Sequence, residues 1–228
     1  MTELDIRNAI IATMSRMSTW ANSTFIPEMF VDEFARRADL VVAGTKLVAF
    51  EIKSDRDKLD RLDGQLKSYI QFFEQVTVVC AERHLVGIEA QSFDEVGIWA
   101  VKEDGSIRKV RKAKNLRQDS ISRWLSFLPV DELRKLLQLH GIKSARHRGD
   151  LVVAAAEIPL KAIRTYVLDY LQRRDERIQK RIDKKGRGQM LAPPSIEEYL
   201  KTLAQQPLTA TPRRRPHSSK SSPSSSPA

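Results

Sequence analysis

Hydrophobic positions in the first half of the chain alternate between the spacing of helices and the spacing of strands. In residues 3–17 they recur at steps of three and four, which predicts an amphipathic helix. Residues 30–34 predict a short strand, and residues 38–53 predict a β-hairpin because two β-branched runs flank a Gly-containing turn. A helix over residues 59–73 and a nearly all-apolar strand over residues 76–80 follow.

Two more strands are predicted over residues 97–101 and 106–110, on either side of an Asp-Gly turn signal. Up to residue 112 the predicted order is therefore α-β-β-β-α-β-β-β. Because strands and helices are interleaved, this order is typical of an α/β or α+β domain and excludes a helical bundle.

From residue 116 onward the spacing of apolar residues is helical. Helices are predicted over residues 121–128, 130–139, 150–157 and 159–185, and the last becomes strongly basic towards its end. The chain is thus predicted to divide into an α/β domain (1–112), a basic helical region (113–188), a segment with a short helix (189–206) and a Pro/Ser-rich tail (207–228). The tail has basic residues and no acidic ones, and we expect it to be disordered.

The composition of the 228-residue chain narrows the class of protein. Hydrophobic residues make up 41% of the chain, which is enough to bury a core. The single cysteine, Cys80, excludes an internal disulfide framework and a Cys-rich zinc site. No secretory signal is visible, and no apolar stretch approaches the roughly 18 residues of a membrane span. We therefore expect a soluble, cytoplasmic protein without membrane association.

Charge is distributed unevenly along the chain, although the formal net charge is +10. Residues 1–105 hold 12 Lys and Arg against 18 Asp and Glu, whereas residues 106–228 hold 27 against 11. The first part is suited to holding a metal ion and the second to binding a polyanion such as DNA. Basic helices and tails also serve as solubilising surface, and charge alone leaves both interpretations open.

Three ionisable residues on the predicted hairpin indicate a chemical site. Glu51 and Lys53 share one face of their strand, and Asp39 lies across from residues 50–52 on the neighbouring strand. Cross-strand neighbours are about 5 Å apart, so two carboxylates and an ammonium would converge within an apolar hairpin. A magnesium ion would explain this, because unpaired charges near a core are unfavourable and magnesium takes oxygen ligands. The alternative is an exposed Glu51–Lys53 pair, with Asp39 at the start of the hairpin.

Two short motifs connect these residues to a known family. Asp39 is followed, after eleven residues, by Glu51-Ile52-Lys53, and Gln65-Leu66-Lys67-Ser68-Tyr69 lies downstream. The first resembles the signature of the PD-(D/E)XK nuclease superfamily, and the second is similar to the Gln-x-x-x-Tyr motif of its RecB-like branches. Gln65 and Tyr69 share a face of their predicted helix. A polar helix flank with a half-buried tyrosine is the alternative explanation of that pair.

The resemblance covers about residues 3–112 and implies a restriction-endonuclease-like αβββαβ core. It implies that Asp39 and Glu51 bind magnesium or manganese and that Lys53 assists an attacking water. Gln65 and Tyr69 would hold the substrate or the geometry of the site. Some branches add a carboxylate, for which Glu33 is the best candidate and Glu3 a poorer one; an edge-strand surface charge explains Glu33 equally well.

The second half of the chain carries the expected contacts with nucleic acid. Residues 130–157 resemble a helix–extended–helix module of the SAP kind, which binds DNA through helix N-termini and basic connectors. A plain helical hairpin packed on the α/β domain is the alternative. The predicted contacts with phosphate are basic residues in and after this module, namely Lys143, Arg146, Arg148, Arg173, Arg174 and Arg177.

These features lead to the expectation of a magnesium- or manganese-dependent deoxyribonuclease, a phosphodiester hydrolase of a poorly characterised bacterial branch that resembles DNA-repair-associated nucleases. It would act in DNA repair or DNA defence, with DNA as its partner, and a homodimer is compatible with the resemblance. The alternative is a nuclease-like fold that binds DNA or assembles a complex without turnover. The sequence does not separate DNA from RNA as the bound polymer.

Overall fold

The computed structural model describes residues 1–31, 35–143 and 147–185, with side chains up to residue 174. Residues Met1–Arg181 form one compact unit. Residues Ile182–Ala228 form a second unit, of which only the helical backbone of residues 182–185 is described. Among the helices of the described part, none is long and apolar enough to cross a membrane.

The described chain contains one mixed sheet of six strands. In chain order, which is also the order across the sheet, the strands are β1 (Thr24–Val31), β2 (Arg36–Ala43), β3 (Leu47–Lys53), β4 (Gln75–Ala81), β5 (Gly97–Val101) and β6 (Ile107–Arg111). The pairs β1/β2, β2/β3 and β5/β6 are antiparallel, and β3/β4 and β4/β5 are parallel. The predicted mixed α/β class is confirmed, whereas a restriction-endonuclease-like core is not confirmed by this arrangement.

Seven α-helices surround the sheet in the described residues. They are α1 (Glu3–Ser15), α2 (Leu62–Phe72), α3 (Leu85–Gln91), α4 (Ile121–Ser126), α5 (Val130–Leu139), α6 (Arg148–Ala155) and α7 (Leu160–Lys185). Helix α3, which has seven residues, is absent from the predicted order. The first strand begins six residues earlier than predicted, at Thr24, and it tolerates Pro27 because β1 lies at the edge of the sheet.

Apolar side chains fill both faces of the sheet. The larger core lies on the face covered by α2 and by α4 to α7, and it includes Leu66, Trp124 and Leu136. The smaller core lies on the other face, where Ile6, Ile10 and Met14 of α1 pack against strand residues. The helices after residue 112 therefore share a core with the sheet. The predicted boundaries between regions of the chain stay predictions.

The start of α1 is fixed by a capping box. The Asp5 N–H donates to Thr2 Oγ1 at 3.2 Å, and the Thr2 N–H donates to Asp5 Oδ2 at 2.8 Å. This reciprocal pair satisfies N–H groups that the first turn would leave without partners. It also fixes the position of Glu3, the first residue of the helix, which enters the site described below.

Candidate functional site

The hairpin of β2 and β3 places two carboxylates side by side. Leu40 pairs with Phe50, so the same register puts Asp39 across from Glu51. The Ile52 N–H donates to Asp39 Oδ2 at 2.7 Å, which fixes that carboxylate against the backbone of β3. All residues of β3 are buried, including Glu51, whose exposed fraction is 1%. The predicted hairpin and the predicted meeting of these acids are confirmed as geometry.

Lys53 lies in the same buried pocket and is bonded on two sides. Its Nζ donates to Glu51 Oε1 at 2.7 Å and to Gln65 Oε1 at 3.0 Å. The exposed fraction of Lys53 is 7%, so these oxygens replace most of the water around the ammonium. Because Gln65 belongs to α2, the lysine joins the hairpin to the helix that packs over it.

Tyr69 holds α2 against β2, one turn after Gln65. Its hydroxyl donates to the carbonyl of Arg37 at 2.7 Å, two residues before Asp39. Burial, with the nearby charge of Glu51, raises the pKa of the phenol, so the hydroxyl keeps its proton. Its proton is donated to the Arg37 carbonyl, so Tyr69 fixes the strand that carries Asp39, and the hydroxyl also lies beside the Glu51 carboxylate.

The two carboxyl groups are destabilised as anions in this environment. Burial, reinforced by the charge of Glu51, raises the pKa of Asp39 to about 8. Burial also raises the pKa of Glu51, although the ammonium of Lys53 acts in the opposite direction. Glu51 Oε2 is buried and has no hydrogen-bond partner among the described residues. One lysine is thus too little positive charge for the buried Glu51 and the half-buried Asp39.

A second group of acids meets Asp39 from the outer side of the hairpin. Ligand oxygens of Glu3, Glu28 and Asp39 all lie within 4.8 Å of one another. Glu28 lies on β1 between residues paired with Leu40 and Ala38, which places it across from Asp39. Its backbone has φ of 55°, a left-handed conformation that a non-glycine residue rarely adopts within a strand. Asp39 is therefore shared between this cluster and Glu51.

Two arginines border the cluster. Arg7 Nη2 makes ion pairs with Glu3 Oε1 and with Glu28 Oε1. Arg37 Nε lies 2.6 Å from Glu28 Oε2, at ion-pair distance but without the geometry of a hydrogen bond. The arginines neutralise Glu3 and Glu28 but leave the Asp39–Glu51 pair with Lys53 alone.

The donor set fits a hard divalent cation. Such ions take carboxylate oxygens as ligands and favour sites that supply more than one. Ligand oxygens of Asp39, Glu3 and Glu28 lie close together, and Glu51, with its unbonded Oε2, lies across from Asp39 on the neighbouring strand. A cation here would lower the pKa of both Asp39 and Glu51, since it stabilises their charged forms.

Of the predicted site residues, five meet in one place: Asp39, Glu51, Lys53, Gln65 and Tyr69. Glu33, the predicted extra ligand, and Arg146 lie outside the described residues. The sequence reasoning missed Glu28. The signal was present, because Glu28 is the first acid on the strand that precedes Asp39, but the strand was predicted to begin after it.

The other predicted contacts with DNA have different surroundings in the structure. Lys143 and Arg174 are exposed. Arg148 donates to the carbonyls of Leu128 at 2.7 Å and Leu125 at 3.2 Å, near the end of α4. Arg173 forms ion pairs with Asp169 and Glu132. For Arg177 only the helical backbone is described. A DNA-binding role for all of these residues stays a prediction.

Fold and site together define a mixed α/β protein with a buried carboxylate–lysine pocket under a helix. The family described as bacteriophage P4 protein cII matches residues 1–198, and the chain belongs to this family. It is similar to a curated protein of Enterobacteria phage P4, "Protein cII", with 34% identity over 177 residues, which cover 75% of this chain and 67% of the phage protein. No solved structure matches the chain significantly.

Membership of this family corrects the sequence-based assignment. The PD-(D/E)XK nuclease superfamily and its RecB-like branch were the wrong family, and no nuclease family is indicated. The metal-dependent DNA nuclease, the hydrolase class and the role in DNA repair or DNA defence depended on that resemblance and are withdrawn with it. The physical reason is that an acid, an acid and a lysine on a β-hairpin form a short pattern, which unrelated hairpins can share.

Proposed function

We propose that the protein binds a divalent cation, magnesium or manganese, through Asp39 and Glu51, with Glu3 and Glu28 as neighbouring carboxylates. The observation that carries this proposal is Glu51 Oε2, a buried acid oxygen without a hydrogen-bond partner across from the half-buried Asp39. A buried carboxylate such as Glu51 is stabilised by a cation far more than by solvent, which does not reach it. Lys53 and Gln65 orient Glu51 for this role.

Calorimetric titration of the full chain with manganese and with magnesium tests the cation site. We expect Asp39→Asn and Glu51→Gln each to weaken binding by about 10–100-fold, because each removes a charged ligand of a hard cation. Asp119→Asn removes an equal charge from an exposed residue that pairs with Arg117, and it serves as the matched control. Unchanged binding in Asp39→Asn would refute the site.

We also propose that the partner is DNA, held by its phosphates. The support is the strongly basic second half of the chain, together with two arginines beside the carboxylate cluster. A divalent cation in the cluster would add positive charge at the same place and would bring a phosphate oxygen into its coordination shell. The proposed function is thus cation-dependent binding of DNA.

Fluorescence anisotropy with a labelled DNA duplex tests the partner independently of the cation site. We expect the affinity to be higher with magnesium than with EDTA, and to fall steeply as sodium chloride is raised. DNA binding that is absent at low salt, with cation binding intact, would remove DNA as the partner and leave the metal site in place.

As an arrangement of elements only, we propose that α1, β1 to β3, α2 and β4 form a restriction-endonuclease-like αβββαβ core. The support is the element order and the parallel pairing of β3 with β4 across α2. An experimental structure of this chain, superimposed on that architecture, tests the proposal. A different path of α2 over the sheet would contradict it.

A further inference from the structure

Glu28 occupies an anion-binding position between two guanidinium groups. Its Oε1 pairs with Arg7, and its Oε2 lies 2.6 Å from Arg37 Nε. Arginines placed on two sides of a carboxylate offer the same planar donors that bind a phosphate oxyanion. The carboxylate of Glu28 therefore fills a place that suits a phosphate.

The pairing of Glu28 with these arginines is incomplete. Arg7 Nε is a buried donor without an acceptor among the described residues, and Glu28 Oε2 is a buried oxygen that no hydrogen bond satisfies. A phosphate group has more acceptor oxygens than a carboxylate and can accept from a guanidinium through two nitrogens. The unsatisfied donor thus indicates that a carboxylate is an imperfect occupant of this position.

Glu28 also belongs to the carboxylate cluster. It therefore cannot pair fully with the two arginines and bind a cation at the same time. One of its carboxylate oxygens lies within 4.8 Å of ligand oxygens of Glu3 and Asp39. A divalent cation bound to Asp39 would attract the Glu28 carboxylate and weaken its pairing with Arg7 and Arg37. The left-handed backbone at Glu28, with φ of 55°, shows that this residue is held in place by its surroundings.

We propose that Glu28 is an exchangeable occupant of a phosphate site formed by Arg7 and Arg37. Without a cation, Glu28 fills the site. With a cation at Asp39, Glu28 turns towards the metal and the two arginines bind a phosphate oxyanion. This inference rests on the proposed cation site and explains how cation binding and phosphate binding are coupled, since the cation draws away the carboxylate that otherwise occupies the two arginines.

Glu28→Gln tests the exchange, with inorganic phosphate as the probe and calorimetry of the full chain as the measurement. In the wild type we expect phosphate to bind about tenfold or more tightly with magnesium than with EDTA, as an energetic coupling of this kind predicts. In Glu28→Gln we expect phosphate to bind in EDTA about tenfold or more tightly than it binds to the wild type in EDTA, because the neutral amide no longer competes for the arginines. Glu28→Gly removes the same carboxylate and suits the positive φ, so it replaces Glu28→Gln if that variant does not fold.

Matched controls separate this proposal from the cation site itself. Arg37→Gln should abolish phosphate binding with and without magnesium, whereas Arg117→Gln, which removes an equal charge from an exposed residue, should not. Phosphate binding that still requires magnesium in Glu28→Gln, while manganese titration shows the cation bound, would overturn the exchange. Absence of cation binding in the wild type would instead refute the proposed function.

A short DNA duplex in place of inorganic phosphate identifies the source of the oxyanion. If the site takes phosphates of a DNA backbone, Glu28→Gln should remove the magnesium requirement for DNA binding as well. If only inorganic phosphate shows the effect, the site takes a free phosphate, and the exchange stands with a small anion as its ligand. The proposal is overturned if the effect is seen with neither inorganic phosphate nor the DNA duplex.

Discussion

At the scale of single residues, the surroundings of Asp39 disfavour the charged form of its carboxyl group. Its pKa is raised from 3.8 to about 8 by burial and then by Glu51, and the hydrogen bond from the Ile52 N–H offsets only part of this. At pH values between 3.8 and about 8, Asp39 releases its proton in the unfolded chain but retains it in the folded, cation-free protein. The group therefore lowers the stability of the folded state as pH rises from about 4 to 8.

The first prediction concerns stability without a cation. In EDTA at pH 7, Asp39→Asn should raise the free energy of unfolding, because the amide needs no ionisation and its oxygen can still accept from the Ile52 N–H. The gain should shrink towards pH 4, where the unfolded aspartate also binds a proton. Urea denaturation at both pH values measures it, with Asp119→Asn as the control. A loss of stability at pH 7 would contradict the raised pKa.

The second prediction concerns the cation. Because a metal ion competes with the proton on Asp39, the affinity for magnesium should rise by about tenfold per pH unit below pH 8 and level off above it. Calorimetric titrations between pH 6 and 9 measure this dependence. An affinity that is constant across this range would mean that Asp39 is already ionised and would contradict its raised pKa.

At the scale of elements, Arg148 shows how a basic residue can serve the fold. It begins α6 and donates to the carbonyls of Leu125 and Leu128, so it fastens α6 to the end of α4. Carbonyl groups at a helix end lack partners within the helix, and a guanidinium satisfies them well. The same side chain was predicted from the sequence to contact DNA.

The third prediction separates these two roles of Arg148. If it stabilises the fold, Arg148→Ala should lower the free energy of unfolding by about 1.5–3 kcal/mol, as expected for partly buried hydrogen bonds from a charged donor. Urea denaturation measures this, and Lys143→Ala is the exposed basic control. Unchanged stability with weakened DNA binding would instead favour the contact with DNA.

The elements that the sequence predicts well are those with long or regular patterns. The β2–β3 hairpin and helices α2, α5 and α7 follow directly from their apolar spacing. The spacing also brings Asp39 and Glu51 together, because register within a hairpin is set by its turn. Glu28 could not be placed in this way, since its position depends on the pairing of β1 and on contacts with Arg7 and Arg37.

At the scale of the whole molecule, the separation of charge along the chain parallels the proposed division of roles. The acidic first part carries the carboxylate cluster, and the basic second part is where we expect most phosphate contacts. Contacts of this kind make affinity fall with salt in proportion to the number of phosphates neutralised. The salt dependence therefore reports how much of the basic half meets DNA.

The fourth prediction tests the basic tail. Replacing Arg213, Arg214 and Arg215 by Gln should reduce the slope of log affinity against log salt by about three, if each arginine neutralises one phosphate of a duplex. Anisotropy titrations at several sodium chloride concentrations measure the slope, and unchanged manganese binding serves as the control. Equal slopes for variant and wild type would exclude these arginines from the interface.

The most direct test of the cation site is anomalous scattering from crystals soaked in manganese. We predict a peak bonded to the Asp39 carboxylate and beside Glu51 Oε2, the buried oxygen that has no hydrogen-bond partner. A site of this kind would also turn the Glu28 carboxylate towards the metal. Saturating manganese that gives no peak at Asp39, or peaks only at exposed acids, would contradict the central claim that this hairpin holds a divalent cation.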